Sequence, residues 1–165
     1  MTPGLIIRRA GLADVKAIWA IERQSFPAPW GRWSFVAELG QRASHTLVAG
    51  PGPPEPFQVW GYIIFWVVAE EMHILNLAVH PRHRRLGIAR RLLQEALNQA
   101  RTLGAQVAWL EVRPSNIPAR QLYESFGFKE AGTRPRYYQD TQEDALLLTL
   151  YFEEGQEKEE GSQGH

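Results

Sequence analysis

The residues best suited to chemistry fall in two stretches of this 165-residue chain. In the first, Arg84-Arg85-Leu86-Gly87-Ile88-Ala89-Arg90 stands between an apolar run ending in Leu77-Ala78-Val79 and an amphipathic run that begins near Ile88. Backbone N–H groups at a helix start lack partners within the helix, and the helix dipole adds partial positive charge there, so such a junction is a natural anion site. Gly87 lets the main chain approach an anion closely, Ala89 is small enough to do the same, and the arginines add charge-assisted contacts suited to a polyphosphate. A basic surface helix opened by a glycine explains the same residues without any ligand. A P-loop is excluded, because Gly-Lys-Ser/Thr is missing from the helix start, and a Rossmann fingerprint needs further glycines and an earlier strand–helix junction.

The second stretch is Leu110-Glu111-Val112-Arg113-x-Ser115-Asn116-x-x-Ala119-x-x-Leu122-Tyr123-x-x-x-Gly127-Phe128. Glu111 is an ionisable group near the end of an otherwise apolar strand, where a carboxylate is costly to bury unless it is paired or used. It either serves the chemistry, points to solvent at a sheet edge, or pairs with Arg113 or Arg120. Tyr123 shares a helical face with Ala119 and Phe126, which suits an ordinary core tyrosine, and Asn116 suits a helix cap. His80 and His83 flank Pro81-Arg82 with no carboxylate or cysteine at a ligand spacing, so both read as surface residues and no metal is expected.

Elements that position these residues can be read from periodicity and turn chemistry. Leu5–Arg8 reads as a strand, and Asp14 can cap a helix carrying Val15, Ile18, Trp19 and Glu22. Phe26–Trp30 breaks that helix, and a second one is expected from Trp33 to Gln41. Thr46–Ala49 is a strand, and Gly50–Pro56, with four prolines, an exposed turn. Gln58–Ala69 and Met72–Val79 form a hairpin with Glu70-Glu71 at its turn. Ile88–Leu103 is the clearest helix, with Ile88, Leu92, Leu93, Ala96, Leu97, Ala100 and Leu103 in one stripe and Gly104 placed to end it. Val107–Val112 is a central strand, a helix follows Asn116, and strands are expected near Phe128–Tyr138 and Ala145–Tyr151. The resulting order is that of a single α/β (α+β) domain over residues 1–152, a mixed sheet of about seven strands with four helices.

Residues 153–165 hold five Glu and one Lys and lack apolar anchors, so they are expected to be an acidic disordered tail. The remaining body carries 17 basic against 13 acidic residues, with the excess centred on Arg82 to Arg91, which favours an anionic ligand. That imbalance is too mild for direct nucleic-acid binding, and no RNP, zinc-finger or helix-turn-helix pattern accompanies it. No apolar run is long enough for a membrane helix, the opening Met1-Thr2-Pro3-Gly4 carries no secretory signal, and cysteine is absent. A cytoplasmic protein without disulfides or a thiol nucleophile is expected.

Asn76-Leu77-Ala78-Val79-His80-Pro81 followed by Arg84-x-x-Gly87-x-Ala89 resembles the acetyl-CoA-binding motif of GNAT acetyltransferases, Gln/Arg-x-x-Gly-x-Gly/Ala. The resemblance implies the acyl-CoA N-acyltransferase fold. It also implies that Arg84, Arg85, Leu86, Gly87, Ile88, Ala89 and Arg90 hold pyrophosphate, while Leu77, Ala78 and Val79, on a splayed strand, offer backbone groups to the pantetheine arm and the acetyl carbonyl. The Leu-Glu-Val-Arg strand and its downstream tyrosine resemble the RimI-type branch, the ribosomal-protein alanine N-acetyltransferases. That likeness implies Glu111 as general base, Tyr123 as general acid and Asn116 as a cofactor contact. Pro29-Trp30 and Arg136-Tyr137-Tyr138 also look like that branch, which places Trp30, Tyr137 and Tyr138 on the peptide side. The resemblance covers about Leu5 to Tyr151, with the Pro-rich insert and the tail outside it.

The implied reaction is direct transfer from acetyl-CoA, a cosubstrate, to the N-terminal amine of a protein, with N-terminal alanine of a small-subunit ribosomal protein as the leading acceptor. An α-amine has a pKa of about 8 and must shed a proton to attack a thioester. Glu111 takes it directly or through water, the N–H of Val79 or one close by stabilises the oxyanion, and Tyr123 protonates the departing thiolate. A GNAT acting on a small-molecule amine or an internal lysine, or a non-catalytic acetyl-CoA-binding module, are the other readings.

Overall fold

The computed structural model describes residues 4–138 and 143–153, the side chain of Arg136 excepted. The expected acidic tail therefore lies, apart from Glu153, outside the described residues. Seven strands and four helices alternate in the anticipated order: β1 (Leu5–Arg9), α1 (Val15–Ser25), α2 (Arg32–Leu39), β2 (Ser44–Pro51), β3 (Gly61–Val68), β4 (Glu71–Val79), α3 (Ile88–Thr102), β5 (Val107–Val112), α4 (Ile117–Ser125), β6 (Lys129–Tyr138) and β7 (Glu143–Tyr151). Short 3₁₀ turns at Leu12–Asp14 and Pro81–His83 precede α1 and the α3 loop.

One sheet holds all seven strands in the order β1-β2-β3-β4-β5-β7-β6. Every pairing is antiparallel except β4–β5, which is parallel and therefore needs a crossover, supplied by α3. The stripe read from the sequence is why α3 lies where it does. Ile88, Leu92, Leu93, Ala96, Leu97 and Ala100 are all buried against Leu47, Ile63, Phe65, Met72 and Ile74 of the sheet. The opposite face packs Ile18, Ile21 and Phe35 of α1 and α2 on Val48, Tyr62 and Ile64. Large-to-small changes at such fully buried positions typically cost about 2–5 kcal/mol.

Two irregularities in β4 shape the site. The β3–β4 register runs from Ile64↔Asn76 to Phe65↔Ile74, so Leu75 is an extra residue, a β-bulge. The β4–β5 pairing covers only Glu71–Ile74 against Val107–Leu110, and beyond it the two strands part. His80 donates its N–H to the Trp60 carbonyl at 2.7 Å, which sets the phase of the β3–β4 ladder beyond the bulge. Alternation then turns the N–H groups of Leu77 and Val79 away from β3 and towards the gap that β5 has left.

Several expectations need correction. Gly50 and Pro51 are not part of an exposed turn but belong to β2 and are buried, paired with Ile6 and Leu5. The returning chain crosses so closely over Gly50 that a Cβ there would sit 1.9 Å from the Gln58 carbonyl oxygen. In consequence Gln58–Trp60 lies outside β3. The hairpin turns at Ala69-Glu70, and Glu71 already belongs to β4. Asp14 precedes α1 but does not cap it. Its carboxylate accepts two bonds from Arg8, at 2.8 and 2.9 Å, and one from the Gly11 N–H at 2.8 Å, because the 3₁₀ turn aims it back at β1. Leu103 leaves the α3 stripe and is half exposed, since the chain turns out of the helix there and passes to Gly104 at φ 96°.

Candidate active site

The loop before α3 folds as an anion site requires. Arg85 and Gly87 both adopt left-handed conformations, φ 66° and 78°, which coil the chain tightly into the helix start. The Arg91 N–H bonds the Gly87 carbonyl at 3.1 Å, so the amides before it project from the helix end. A cavity of about 560 Å³ opens in front of them. It is lined by Leu77, Ala78 and Val79 of β4, by Arg84, Arg85, Gly87, Ile88, Ala89 and Arg90, and by Asn116 and Tyr123 from the far side. Leu86 is the one member of the anticipated set that does not line it, and its side chain is half exposed.

The arginines divide their tasks. Arg84 donates from Nε to the Val79 carbonyl at 3.1 Å and from Nη2 to Ser25 Oγ at 3.3 Å, tying the loop to β4 and α1. Arg90 bonds Ser125 Oγ at 3.1 Å across to α4. His80 caps the preceding 3₁₀ turn by accepting the Arg82 N–H. His83 is not a bare surface residue, for its ring stacks on Trp60 at 4.2 Å. Among the described residues no group of three or more His, Cys, Asp or Glu side chains could hold a metal ion.

On the other side of the gap lies a second cavity, of about 410 Å³, lined by Trp30, His73, Leu77, Glu111, Asn116, Tyr123, Tyr137 and Tyr138. Glu111 is not at an edge, since β5 lies between β4 and β7 and Glu111 pairs with Leu147. Its side chain is 8% exposed, and Oε2 is buried without a hydrogen-bond partner. Its charged neighbours are neither Arg113 nor Arg120. Arg134 Nη1 lies 3.5 Å from Oε2 and His73 Nε2 lies 3.7 Å from Oε1. Arg113 instead lies over the Tyr138 ring at 4.1 Å, and Arg120 bonds the Pro114 carbonyl at 2.9 Å. His73 stacks on Trp109 at 3.8 Å, and burial lowers its pKa more than the Glu111 charge raises it, so the ring favours its neutral form.

Tyr123 and Asn116 line both cavities, as Phe26, Leu77 and Ala119 also do. Asn116 caps α4 as its sequence position implied, Oδ1 accepting from the Ala119 N–H at 3.3 Å. The Tyr123 ring packs edge-on against Phe128, and burial, then the neighbouring Tyr138, pushes its phenol far above the ordinary value. It is therefore a proton donor throughout the neutral range. Trp30, Tyr137 and Tyr138 give the cavity that holds Glu111 its aromatic lining. The Tyr137 pKa is raised by burial first and by the Glu111 carboxylate next.

Three polar groups of this cavity, His73, Glu22 and Asn76, escape a reading by pattern, as does Arg134, which approaches Glu111. A carboxylate on the apolar face of α1 and an amide inside the apolar β4 were the available signals for Glu22 and Asn76. They are joined directly, Asn76 Nδ2 donating to Glu22 Oε1 at 2.8 Å. Arg134 carried no signal, because its approach to Glu111 depends on β7 bringing β6 alongside.

Two cavities that meet at Tyr123 and Leu77, one ending in a helix N-terminus and the other in a buried carboxylate, suit transfer of a group between two molecules. The comparisons agree. Residues 15–128 match the acetyltransferase (GNAT) family. The ribosomal protein bS18-alanine N-acetyltransferase of Salmonella typhimurium is 35% identical over 139 residues, covering 83% of this chain and 90% of its own length. The crystal structure of the ribosomal-protein-S18-alanine N-acetyltransferase from Escherichia coli superposes with a TM-score of 0.80 at 31% identity, over 90% of this chain and 94% of that one. Arabidopsis thaliana NAA60 in complex with acetyl-CoA shares the fold, with a TM-score of 0.81 at 18% identity and coverage of 90% and 99%.

Proposed function

We propose, from the premise that this chain belongs to the acetyltransferase (GNAT) family, that it acetylates the N-terminal α-amine of a protein, with N-terminal alanine of ribosomal protein bS18 as its cytoplasmic acceptor. That it is an N-acetyltransferase follows from the family and from relatives of 35% identity over most of the chain. The finer reading rests above all on one observation. The buried Oε2 of Glu111, near Arg134 but without a hydrogen bond, stands in a cavity lined by aromatics that meets the α3 cavity at Tyr123.

In this reading acetyl-CoA is the donor, and its acetyl thioester supplies the activated acyl group. The α3 cavity fits it on the residues present. Backbone amides at the helix start face an open space, and an added Cβ at Gly87 would meet no protein atom within 4 Å. The loop amides around Gly87 hold the pyrophosphate. Leu77 and Val79 turn their N–H groups into the gap, where one of them stabilises charge developing on the acetyl oxygen. Asn116, at the meeting point of the cavities, contacts the pantetheine arm.

Glu111 accepts the proton that the amine loses as its nitrogen bonds to the acetyl carbon, directly or through water. As the carbon–sulfur bond breaks, the electron pair leaves on sulfur, and the Tyr123 hydroxyl supplies the proton that makes the thiol. The raised phenol pKa keeps that donor charged with its proton; it also makes early transfer uphill, so the hydroxyl acts first as a hydrogen bond to sulfur. Nothing in the scheme calls for an acyl-enzyme, and the chain has no cysteine to form a thiol-linked one.

The test is mass spectrometry of peptides incubated with enzyme and acetyl-CoA, comparing Ala-, Ser- and Met-initiated sequences with an N-blocked lysine peptide. Acetylation of the Ala peptide at its α-amine is the expected result. Modification of the blocked lysine peptide alone moves the acceptor to side-chain amines, and binding of acetyl-CoA without turnover of any amine leaves a binding module.

A further inference from the structure

Glu22 has no part in the proton transfers above, yet it is 1% exposed and both of its oxygens are engaged. Oε2 accepts the Trp30 backbone N–H at 2.9 Å. Oε1 accepts from Asn76 Nδ2 at 2.8 Å and from the Tyr62 hydroxyl, whose pKa burial and the Glu22 charge push well up, so that it remains a donor. Burying a carboxylate is costly, and these three donors are uncharged. Mere filling of the α1 face needs an apolar side chain, such as Ile18 provides one turn earlier and Ile21 in the adjoining position. The carboxylate does something an aliphatic group cannot. It ties the turn after α1, which carries Trp30, to β4 at the residue immediately after the bulge and immediately before Leu77.

Resting on the reading of the site given above, we propose that Glu22 is a positioning residue that fixes the acceptor-side turn against the donor-side strand, and so sets the spacing between amine and thioester. Trp30 belongs to the wall where the acceptor enters, and the Leu77 amide faces the gap where the acetyl group lies. Glu22 holds both ends through hydrogen bonds of its own and touches neither reacting atom. Displacement of about 1 Å between reacting groups lowers rates on the order of 100-fold, which is the scale on which such a tie acts.

The variant Glu22→Asp keeps the charge and withdraws the carboxylate by one methylene from its donors. Expected are a folded protein, acetyl-CoA affinity within about twofold of wild type by calorimetry, and kcat/KM for an N-terminal peptide lower by roughly 10- to 100-fold. Amide exchange at Trp30 should be at least about tenfold faster, because its acceptor has moved away. A second variant guards against a simple packing defect. Asn76→Asp sets two carboxylates against each other, and adding Glu22→Gln restores one charge and a donor–acceptor pair, so the double variant should recover most of the peptide turnover that Asn76→Asp loses. Wild-type peptide kinetics together with wild-type Trp30 exchange in Glu22→Asp overturns the proposal. So does a loss of turnover matched by an equal loss of acetyl-CoA binding, which marks a general structural role. A wild-type enzyme that acetylates no peptide sinks the functional reading instead, and Trp30 exchange in Glu22→Asp separates that case from failure of the tie.

Discussion

Replacing Gly87 by valine tests the proposed pyrophosphate loop apart from the rest of the fold, because the same helix offers a matched control. Gly87, before α3, has φ 78°, and Gly104, just after it, has φ 96°. At both sites an added Cβ meets no protein atom within 4 Å, so the two positions start from equal room for a side chain. Each forces an L-residue into the left-handed region, at a cost of about 1–3 kcal/mol. For a domain of this size that lowers the melting temperature by roughly 2–12 °C, and the two variants should fall within the same band. Their acetyl-CoA affinities should part company. Gly104 lies outside the α3 cavity, whereas Gly87 lines it. A branched side chain there displaces phosphate from at least one backbone amide, and losing one hydrogen bond to a charged group is worth about 1.5–3 kcal/mol, or roughly 10- to 150-fold in Kd. Calorimetric titration with acetyl-CoA, with thermal unfolding of both variants alongside, reads the difference directly. Equal affinities for Gly87→Val and Gly104→Val would refute the placement of pyrophosphate at this loop.

Three further outcomes are expected. Glu111→Gln should slow acetylation by about 10²–10⁴-fold with acetyl-CoA binding retained, and should recover in part above about pH 8, where free α-amine is abundant; a pH-independent defect would make Glu111 a peptide-positioning group instead. Tyr123→Phe should show a loss of the same order, about 10²–10⁴-fold, with no recovery at high pH, since sulfur departure rather than amine deprotonation is impaired. Asp14→Asn should lower the melting temperature at neutral pH and matter less in acid. The Arg8 guanidinium, opposed by burial and aided by the Gly11 N–H, holds the Asp14 pKa below its unfolded value, so its contribution is present above that value and fades as pH falls through the folded one. A melting-temperature gap that stays constant from pH 7 to about pH 3 would show that the Arg8–Asp14 pair contributes only shape.

What could be read from the sequence was what is decided locally. The α3 stripe, the loop glycine, the Asn116 cap and the carboxylate at the end of β5 each depend on residues within a turn or two, and, Leu103 apart, the structure places them as their spacing implied. Contacts between distant segments were hidden. Glu22 and Asn76 are 54 residues apart and meet only because α1 packs across the bulged half of β4. Glu111 finds Arg134 rather than the nearer Arg113 because β7 inserts between β5 and β6, an order that no single strand announces. Asp14 turned from helix cap to ion pair for the same reason. Both roles satisfy its chemistry, and only the position of Arg8 on β1 chooses between them.

The parting of β4 from β5 after Ile74 has a consequence for how such an enzyme changes over time. On the reading given above, the donor is gripped largely by peptide groups of Leu77, Val79 and the Gly87 loop, and peptide groups are the same in every amino acid except proline. Drift in the side chains of that strand leaves the grip in place so long as the strand keeps its course. The acceptor meets an aromatic wall made of Trp30, Tyr137 and Tyr138, which are carried by a turn and a strand end and are open to replacement one at a time. The architecture thus separates a conservative half from an adaptable one. A new acceptor can be acquired by altering that wall without relearning how to hold the donor.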